Sequence, residues 1–165
     1  MTHNQTPEKA TPQIQDPRKF FIIYKRDSAG DLARYVHQAL HSRGVDTFLD
    51  QVDLDEGLTR EQWRHQRDQA LDGSDVFIFI LTHSANTSDE IIHELGRAME
   101  KTGSDIRVFI DTELWNVQEQ LTITINNEEL NITDYQCRRF NSQAWEELVR
   151  IIANSTLVPK IIKPT

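Results

Sequence analysis

The chain has 165 residues and a formal net charge of −8, with 38% hydrophobic and 27% charged residues. This length favours one domain with a sizeable buried core. The negative charge disfavours a nucleic-acid partner, because contacts with backbone phosphates require a basic face. The sequence has no apolar run of about 18 residues, so we expect no membrane-spanning segment and no membrane partner. The single cysteine, Cys137, excludes an intrachain disulfide and a thiolate zinc cluster, and leaves a lone cysteine nucleophile as a minor alternative.

Composition divides the chain into three parts. Residues 1–17 are polar and contain scattered prolines, which predicts a disordered leader. We predict one domain over residues 18–158 and a short tail over residues 159–165. The leader lacks the apolar core of a signal peptide, so we expect a cytoplasmic location.

Up to residue 111, short apolar runs alternate with amphipathic segments. The apolar runs predict strands at residues 19–24, 45–49, 75–81 and 106–111. The segments between them predict three helices: one capped by Asp27 or Ser28 and closed by Gly44, one over residues 60–71, and one ending near Lys101. Strands and helices that alternate in this way form a parallel α/β sheet with right-handed crossovers and helices on both faces.

The region after residue 111 is less regular. Residues 121–125 alternate with a period of two, residues 126–129 suit a turn, and residues 130–132 suit a returning strand, so we predict a β-hairpin insertion. A fifth strand is predicted at residues 135–140. An amphipathic last helix follows at residues 142–155, with an apolar stripe formed by Trp145, Leu148, Val149 and Ile152.

Ligands of such sheets bind beyond the carboxyl ends of the strands, so the loops there are the expected location of a functional site. Lys25 and Arg26 follow the first strand and precede a helix N-terminus, a placement that suits either a diphosphate or a solvated charge pair. No glycine-rich dinucleotide or P-loop fingerprint occurs, which disfavours both of those classes. The acidic loop at residues 50–57 lacks the glycine and glutamate spacing of a calcium-binding EF-hand.

The stretch IIHELGRAM, residues 91–99, is one residue short of an H-E-x-x-H zinc motif, because Arg97 replaces the second histidine. Helical periodicity turns His93 towards water and places Glu94 at the border of the apolar stripe. Glu94 is therefore either a functional carboxylate or a surface residue paired with Arg97. Upstream, Thr87 and Glu90 have the spacing of a capping box, with Ser88 as the alternative cap.

Several of these stretches together resemble a TIR domain. FIIYKRD resembles the opening strand of that family, and TFLDQVDLDEG resembles its second strand and loop through Phe48, Asp50, Leu54 and Gly57. Trp63 and the stretch ALDGSDVFIFILTHSANTSDEIIHEL resemble the following helix, the central strand and the W-x-x-x-E region. The resemblance runs from about residue 20 to residue 111, extends more weakly to Phe140, and is similar to stand-alone bacterial or archaeal members.

The resemblance implies a flavodoxin-like, five-stranded parallel sheet of order 2-1-3-4-5. It also implies cleavage of NAD⁺ at the nicotinamide–ribose bond by the glutamate that falls on Glu94, with NAD⁺ as substrate and no cofactor or metal. The matching binding residues are Tyr24, Lys25 and Arg26 in the first loop, and Asp50 and Gly57 in a mobile loop. Glu90 is a further expected substrate-binding residue. The family further implies a homo-oligomer formed through TIR–TIR contacts, a neighbouring molecule that completes the site, and a nucleotide-sensing partner protein.

One carboxylate suffices for this chemistry, because nicotinamide is bound as a pyridinium and leaves as a neutral molecule. A carboxylate near the ribose stabilises the oxocarbenium ion, and Lys25 and Arg26 would lie near the diphosphate. Water then yields ADP-ribose, and an internal nucleophile yields a cyclic product. The chain departs from the family at Glu90, which stands where the aromatic residue of W-x-x-x-E is expected. This removes a stacking surface and adds a charge that either raises the pKa of Glu94 or caps the helix.

Three functions therefore stand as hypotheses. The first is a NAD⁺-cleaving enzyme that is switched on by self-assembly in immune or defence signalling. The second is a TIR–TIR interaction module without catalysis. The third is an enzyme similar to nucleoside deoxyribosyltransferases, which the sequence favours least because no acid for an uncharged leaving base is found.

Overall fold

The computed structural model describes residues 18–54 and 56–157, so the predicted leader and tail lie outside the described residues. The strands are β1 (Lys19–Tyr24), β2 (Asp46–Phe48), β3 (Val76–Leu81), β4 (Asp105–Asp111), β5 (Thr122–Ile125), β6 (Glu128–Asn131) and β7 (Gln136–Phe140). The helices are α1 (Arg26–Ser42), α2 (Asp50–Asp53), α3 (Arg60–Gly73), α4 (Asp89–Glu100), α5 (Gln118–Leu121) and α6 (Trp145–Leu157). None of the helices in these described ranges is long and apolar enough to cross a lipid bilayer.

The main sheet has five parallel strands in the order β2-β1-β3-β4-β7. Because β5 and β6 form a separate antiparallel pair, β7 is the fifth strand of this sheet. The predicted order 2-1-3-4-5 and the flavodoxin-like class are thereby confirmed.

The core has two apolar layers, one on each face of the sheet. Successive residues of a strand point to opposite faces, so Phe20 and Ile22 pack with α1 and α6, whereas Phe21 and Ile23 pack with α3 and α4. Every residue of β3 is buried, which explains why the central strand is a continuous apolar run.

The helix starts differ from two of the predicted caps. The N-cap of α1 is Lys25, without a side-chain hydrogen bond, and Ser28 instead lies 2.6 Å from the Thr82 hydroxyl. At α4 the Ser88 hydroxyl accepts from the N–H of Ile91 at 3.5 Å, so the alternative cap is confirmed and the capping box of Thr87 and Glu90 is wrong. Glu90 is engaged by arginines of α3 instead, because tertiary partners compete with local ones.

Two loop predictions are refined. The acidic segment after β2 begins with the helical turn α2 rather than with irregular loop. Gly44 lies just beyond α1 with φ of +83°, as expected for a glycine that closes a helix.

The predicted hairpin insertion is present and packs on α4. Its turn is formed by Asn126 and Asn127, both with positive φ, as two-residue hairpin turns require. Ile125 approaches α4 so closely that a Cβ on Gly96 would lie 3.2 Å from its Cγ2 atom. The hairpin therefore leaves little room for a larger residue at position 96.

The segment that leads into the hairpin also supports the loop between β3 and α4. The buried Asn86 side chain donates to the carbonyl oxygens of Glu119 and Thr122 at 2.6 and 2.9 Å. Gln120 accepts from the N–H of Ser84 at 2.8 Å. The insertion thus stabilises the loop from which α4 starts.

The substitution Asn86→Ala is expected to lower the free energy of unfolding by about 2–4 kcal/mol, because a buried side chain and its hydrogen bonds to two partly buried carbonyl groups are lost. Equilibrium urea unfolding measures the change. The matched control is Asn131→Ala, which removes a less buried side chain that caps a short helical turn and should cost only about 1 kcal/mol. Equal losses in the two variants would contradict the anchoring role of Asn86.

Candidate active site

A cleft of about 590 Å³ opens where the carboxyl ends of β1 and β2 meet the first turns of α3 and α4. It is lined by six of the seven residues predicted for the site: Tyr24, Lys25, Arg26, Asp50, Glu90 and Glu94. The seventh, Gly57, lies in the loop before α3, where its φ is +87°. It does not border the cleft, although its neighbour Leu58 does. Parallel strand ends thus bring together residues that are up to 70 positions apart, from Tyr24 to Glu94.

The carboxylate of Glu94 is buried in the cleft wall, with only 6% of the residue exposed. Within residues 18–54 and 56–157 no hydrogen bond or ion pair engages it. Burial raises the pKa of Glu94 well above its ordinary value; the charges of Asp50 and Glu90 raise it further and that of Arg67 lowers it. A buried carboxylate without a partner is costly to the fold and marks a position at which chemistry is expected.

The surface interpretation of Glu94 is wrong, because its predicted partner is bound elsewhere. Arg97 donates two hydrogen bonds to Asp72, at 2.7 and 2.8 Å, and a longer one to Asp68. These contacts raise the pKa of Arg97 and lower that of Asp72. His93 is exposed, as the helical periodicity predicts. Its side chain lies 2.9 Å from Asp68.

Asp50 joins two of the predicted binding residues at the floor of the cleft. It accepts from the Tyr24 hydroxyl and, at 3.2 Å, from the Arg26 guanidinium. Burial, followed by the neighbouring Asp50 carboxylate, raises the pKa of Tyr24, so its hydroxyl remains a donor. Arg26 is therefore committed to Asp50.

Two other cations line the same cleft. Lys25 and Arg60 make no ion pair with any residue of the described ranges. They lie at the starts of α1 and α3, where helix N-termini also favour anions. The sequence pattern pointed to Lys25 but not to Arg60, since only the fold places the start of α3 beside the end of β1.

The charge of Glu90 is matched by arginines of α3. Arg67 donates to its carboxylate, and Arg64 lies 3.6 Å from it. Glu90 contributes to the raised pKa of Glu94, as one of the two predicted alternatives states. The other alternative, a capping role, is wrong.

An aromatic residue that the motif analysis did not assign to the site lines the cleft from α3. Trp63 is partly buried, borders the cleft, and has the Arg67 guanidinium 5.1 Å from its ring centroid. Trp63 contributes to the family resemblance, but its position in the sequence does not reveal a role. The one sequence feature that fits a role in the site is the position of Trp63 in the first turn of a helix that follows the acidic loop. This feature becomes informative only when the fold is known.

Other candidate sites are weaker. Within the described residues, no group of histidine, cysteine, aspartate or glutamate side chains could hold a metal ion. Burial raises the pKa of the Cys137 thiol, which disfavours the thiolate needed for a nucleophile.

A second cleft of about 510 Å³ lies across the start of α1 and contains no buried carboxylate. One of its arginines, Arg34, is bound to Gln51 and Asp31, and Arg26 is bound to Asp50. We therefore take the cleft that contains Glu94 as the candidate active site.

Comparisons with known proteins agree with this architecture. A family model described as TIR domain matches residues 20–150. No curated protein matches the sequence. The fold is similar to the CMP N-glycosidase BcmB of Clostridium botulinum, with a TM-score of 0.55 and 11% identity, over 84% of this chain and 99% of that chain.

A second solved structure is the 2-deoxyribosyltransferase of Bacillus psychrosaccharolyticus, with a TM-score of 0.48 and 17% identity, over 79% of this chain and 90% of that chain. At these identities the first likeness shows the fold alone, and the second is too distant to support an argument.

The substitution Glu94→Gln is expected to raise the free energy of unfolding at neutral pH. The pKa of Glu94 is higher in the folded chain than in the unfolded chain, so stability falls as the pH rises between the two values. Glutamine stays neutral over this range, so the variant does not lose stability in this way as the pH rises. Its gain in the free energy of unfolding over the wild type should vanish below the ordinary glutamate pKa of 4.5. Urea unfolding at pH values from about 4 to 8 tests this.

The matched control is Glu128→Gln on the exposed hairpin, which should change stability little at any of these pH values. A gain in the Glu94 variant that stays constant across the range would contradict the raised pKa.

Proposed function

We propose that this chain, which belongs to the TIR domain family, cleaves the nicotinamide–ribose bond of NAD⁺. The observation on which the proposal depends is the buried carboxylate of Glu94, which no residue of the described part of the chain binds, in a cleft that also presents cations and an aromatic ring. These are the three features that a dinucleotide with a positively charged leaving group requires.

Glu94 is the proposed catalytic residue. Nicotinamide leaves NAD⁺ as a neutral molecule, so no proton has to be supplied to it, and one carboxylate is sufficient. As the bond to nicotinamide breaks, positive charge develops on the ribose, and an ionised Glu94 stabilises it from the wall of the cleft. The charge of the substrate itself favours ionisation of Glu94, which offsets the effect of burial.

The other residues of the cleft bind and orient the substrate. Lys25 and Arg60, which are not engaged in ion pairs in the described part of the chain, are proposed to bind the diphosphate. Asp50, held by Tyr24 and Arg26, is proposed to accept from the ribose hydroxyls. Attack by water on the ribose gives ADP-ribose, and attack by a group of the substrate itself gives a cyclic ADP-ribose.

We also propose that the enzyme acts as a homo-oligomer. Arg26 and Arg60 at the rim of the cleft are exposed, so the bound substrate would face solvent on this side of a single copy. A second copy placed there would exclude water and complete the site. Because unregulated loss of NAD⁺ would harm a cell, the proposal includes a nucleotide-sensing partner and a role in cytoplasmic immune or defence signalling.

The substitution Glu94→Gln is expected to lower nicotinamide release by at least roughly a thousandfold, because the group that stabilises the oxocarbenium ion is lost. Concentrated wild-type and variant protein are incubated with NAD⁺, with and without a crowding agent that promotes assembly, and nicotinamide is followed by chromatography. Glu128→Gln serves as the matched control with full activity.

The same assay decides between the alternatives. No release from wild-type protein under any of these conditions would favour the non-catalytic TIR–TIR module. Release of base from CMP or a 2′-deoxynucleoside, but not from NAD⁺, would keep Glu94 as the catalytic residue and overturn the proposed substrate.

The substitutions Lys25→Ala and Arg60→Ala are each expected to raise the KM for NAD⁺ about tenfold, since each removes one charged contact with the diphosphate. Nicotinamide riboside lacks the diphosphate, so its cleavage should be affected little. Arg43→Ala, at the opposite end of α1, is the matched control. Equal losses with both substrates would contradict the assignment of these cations.

A further inference from the structure

The wall of the cleft formed by α3 has an aromatic and apolar surface. Trp63 borders the cleft beside Leu58 and has the Arg67 guanidinium over its ring, 5.1 Å from the centroid. The part of the indole that Arg67 does not cover is available to the cleft, since Trp63 is only partly buried.

Arg67, which lies over the indole, is itself fixed by several contacts. The residue is 2% exposed, donates to the Glu90 carboxylate, and donates to Asp68 at 3.3 Å. Two carboxylates therefore compensate its charge, which is necessary because an unpaired buried guanidinium would be strongly destabilising. They also reduce the repulsion that Arg67 would exert on a second cation near the indole.

The indole lines the same cleft as the Glu94 carboxylate. Trp63 and Arg67 are one turn apart on α3, and Glu90 and Glu94 are one turn apart on α4. The contact between Arg67 and Glu90 joins the two pairs, and the charge of Arg67 acts on the Glu94 carboxylate. Because α3 and α4 run in parallel register, Trp63 and Glu94 lie on either side of this contact. A ring attached to the ribose beside Glu94 meets the indole by extending past this contact towards the start of α3.

We infer that Trp63 binds the nicotinamide ring of the substrate, and that Arg67, held by Glu90, is its positioning residue. The inference rests on the proposed cleavage of NAD⁺. In this chain α3 thus supplies the aromatic surface that the family is expected to take from the position of Glu90.

The charge of the leaving group predicts a particular kinetic signature. In NAD⁺ the nicotinamide ring is a cation, and tryptophan is the aromatic side chain that attracts a cation most strongly. In the transition state this charge moves from the ring to the ribose. Trp63 therefore stabilises bound NAD⁺ more than the transition state, and its loss raises KM without lowering kcat.

The first experiment measures steady-state nicotinamide release. Trp63→Leu is expected to raise KM about tenfold with kcat unchanged or increased; Trp63→Phe is intermediate. Arg67→Met and Glu90→Gln should shift KM in the same direction by a smaller factor, with partial rescue in Arg67→Lys. Trp115→Leu is the matched control, because Trp115 has the Arg139 guanidinium 5.0 Å from its ring but lies outside the cleft.

A fall in kcat at unchanged KM in Trp63→Leu would overturn the inference. A shift of KM as large in Trp115→Leu would overturn it as well.

The second experiment keeps Trp63 and so does not depend on the folding of its variants. The sequence has three tryptophans, and Trp115→Phe with Trp145→Phe leaves Trp63 as the single emitter. In a Glu94→Gln background, which prevents turnover, NAD⁺ and nicotinamide mononucleotide are expected to quench Trp63 fluorescence. ADP-ribose, which lacks the nicotinamide ring, is expected to quench it much less.

Quenching by ADP-ribose equal to that by NAD⁺, or no quenching by any of the three, would overturn the assignment of Trp63. Failure of the proposed function is distinguished by a different result, the absence of nicotinamide release from wild-type protein under conditions that promote assembly.

Discussion

The ion pair between the buried guanidinium of Arg67 and the carboxylate of Glu90 is the interaction on which the cleft depends. Arg67 joins α3 to α4 through Glu90, lies over the ring of Trp63, and acts on the charge of Glu94. Such a charge is tolerated in the interior only because carboxylates compensate it. The arrangement sets the relative positions of the aromatic surface and the Glu94 carboxylate, and it accounts for a glutamate at position 90.

Glu94 shows how stability and function compete at this site. The carboxylate is buried among α4 residues that pack into the core, yet the described part of the chain offers it no hydrogen bond or ion pair. The fold therefore bears a cost that a cationic substrate would offset. The hairpin insertion contributes to the same geometry, because Asn86 anchors the loop from which α4 starts.

The elements of the fold were largely predictable, whereas several local contacts were not. β3 is buried on both faces, and burial of this kind leaves an apolar run that is visible in the sequence. Ser28 and Glu90 were expected to cap helices, but they bind Thr82 and Arg67 across the fold. Local spacing identifies groups that are able to cap a helix, and it contains no information on distant partners that compete for them.

By itself, the sequence determined the strand and helix pattern, the order of the sheet through the family resemblance, and most of the cleft residues, including Glu94. Only the tertiary structure decided that Arg26 is committed to Asp50, that Arg60 and Trp63 line the cleft, and that Arg67 neutralises Glu90. The physical reason is that periodicity and motifs record burial and local geometry along one segment. Electrostatic pairing and cleft lining depend on residues from separate segments that only the folded sheet brings together.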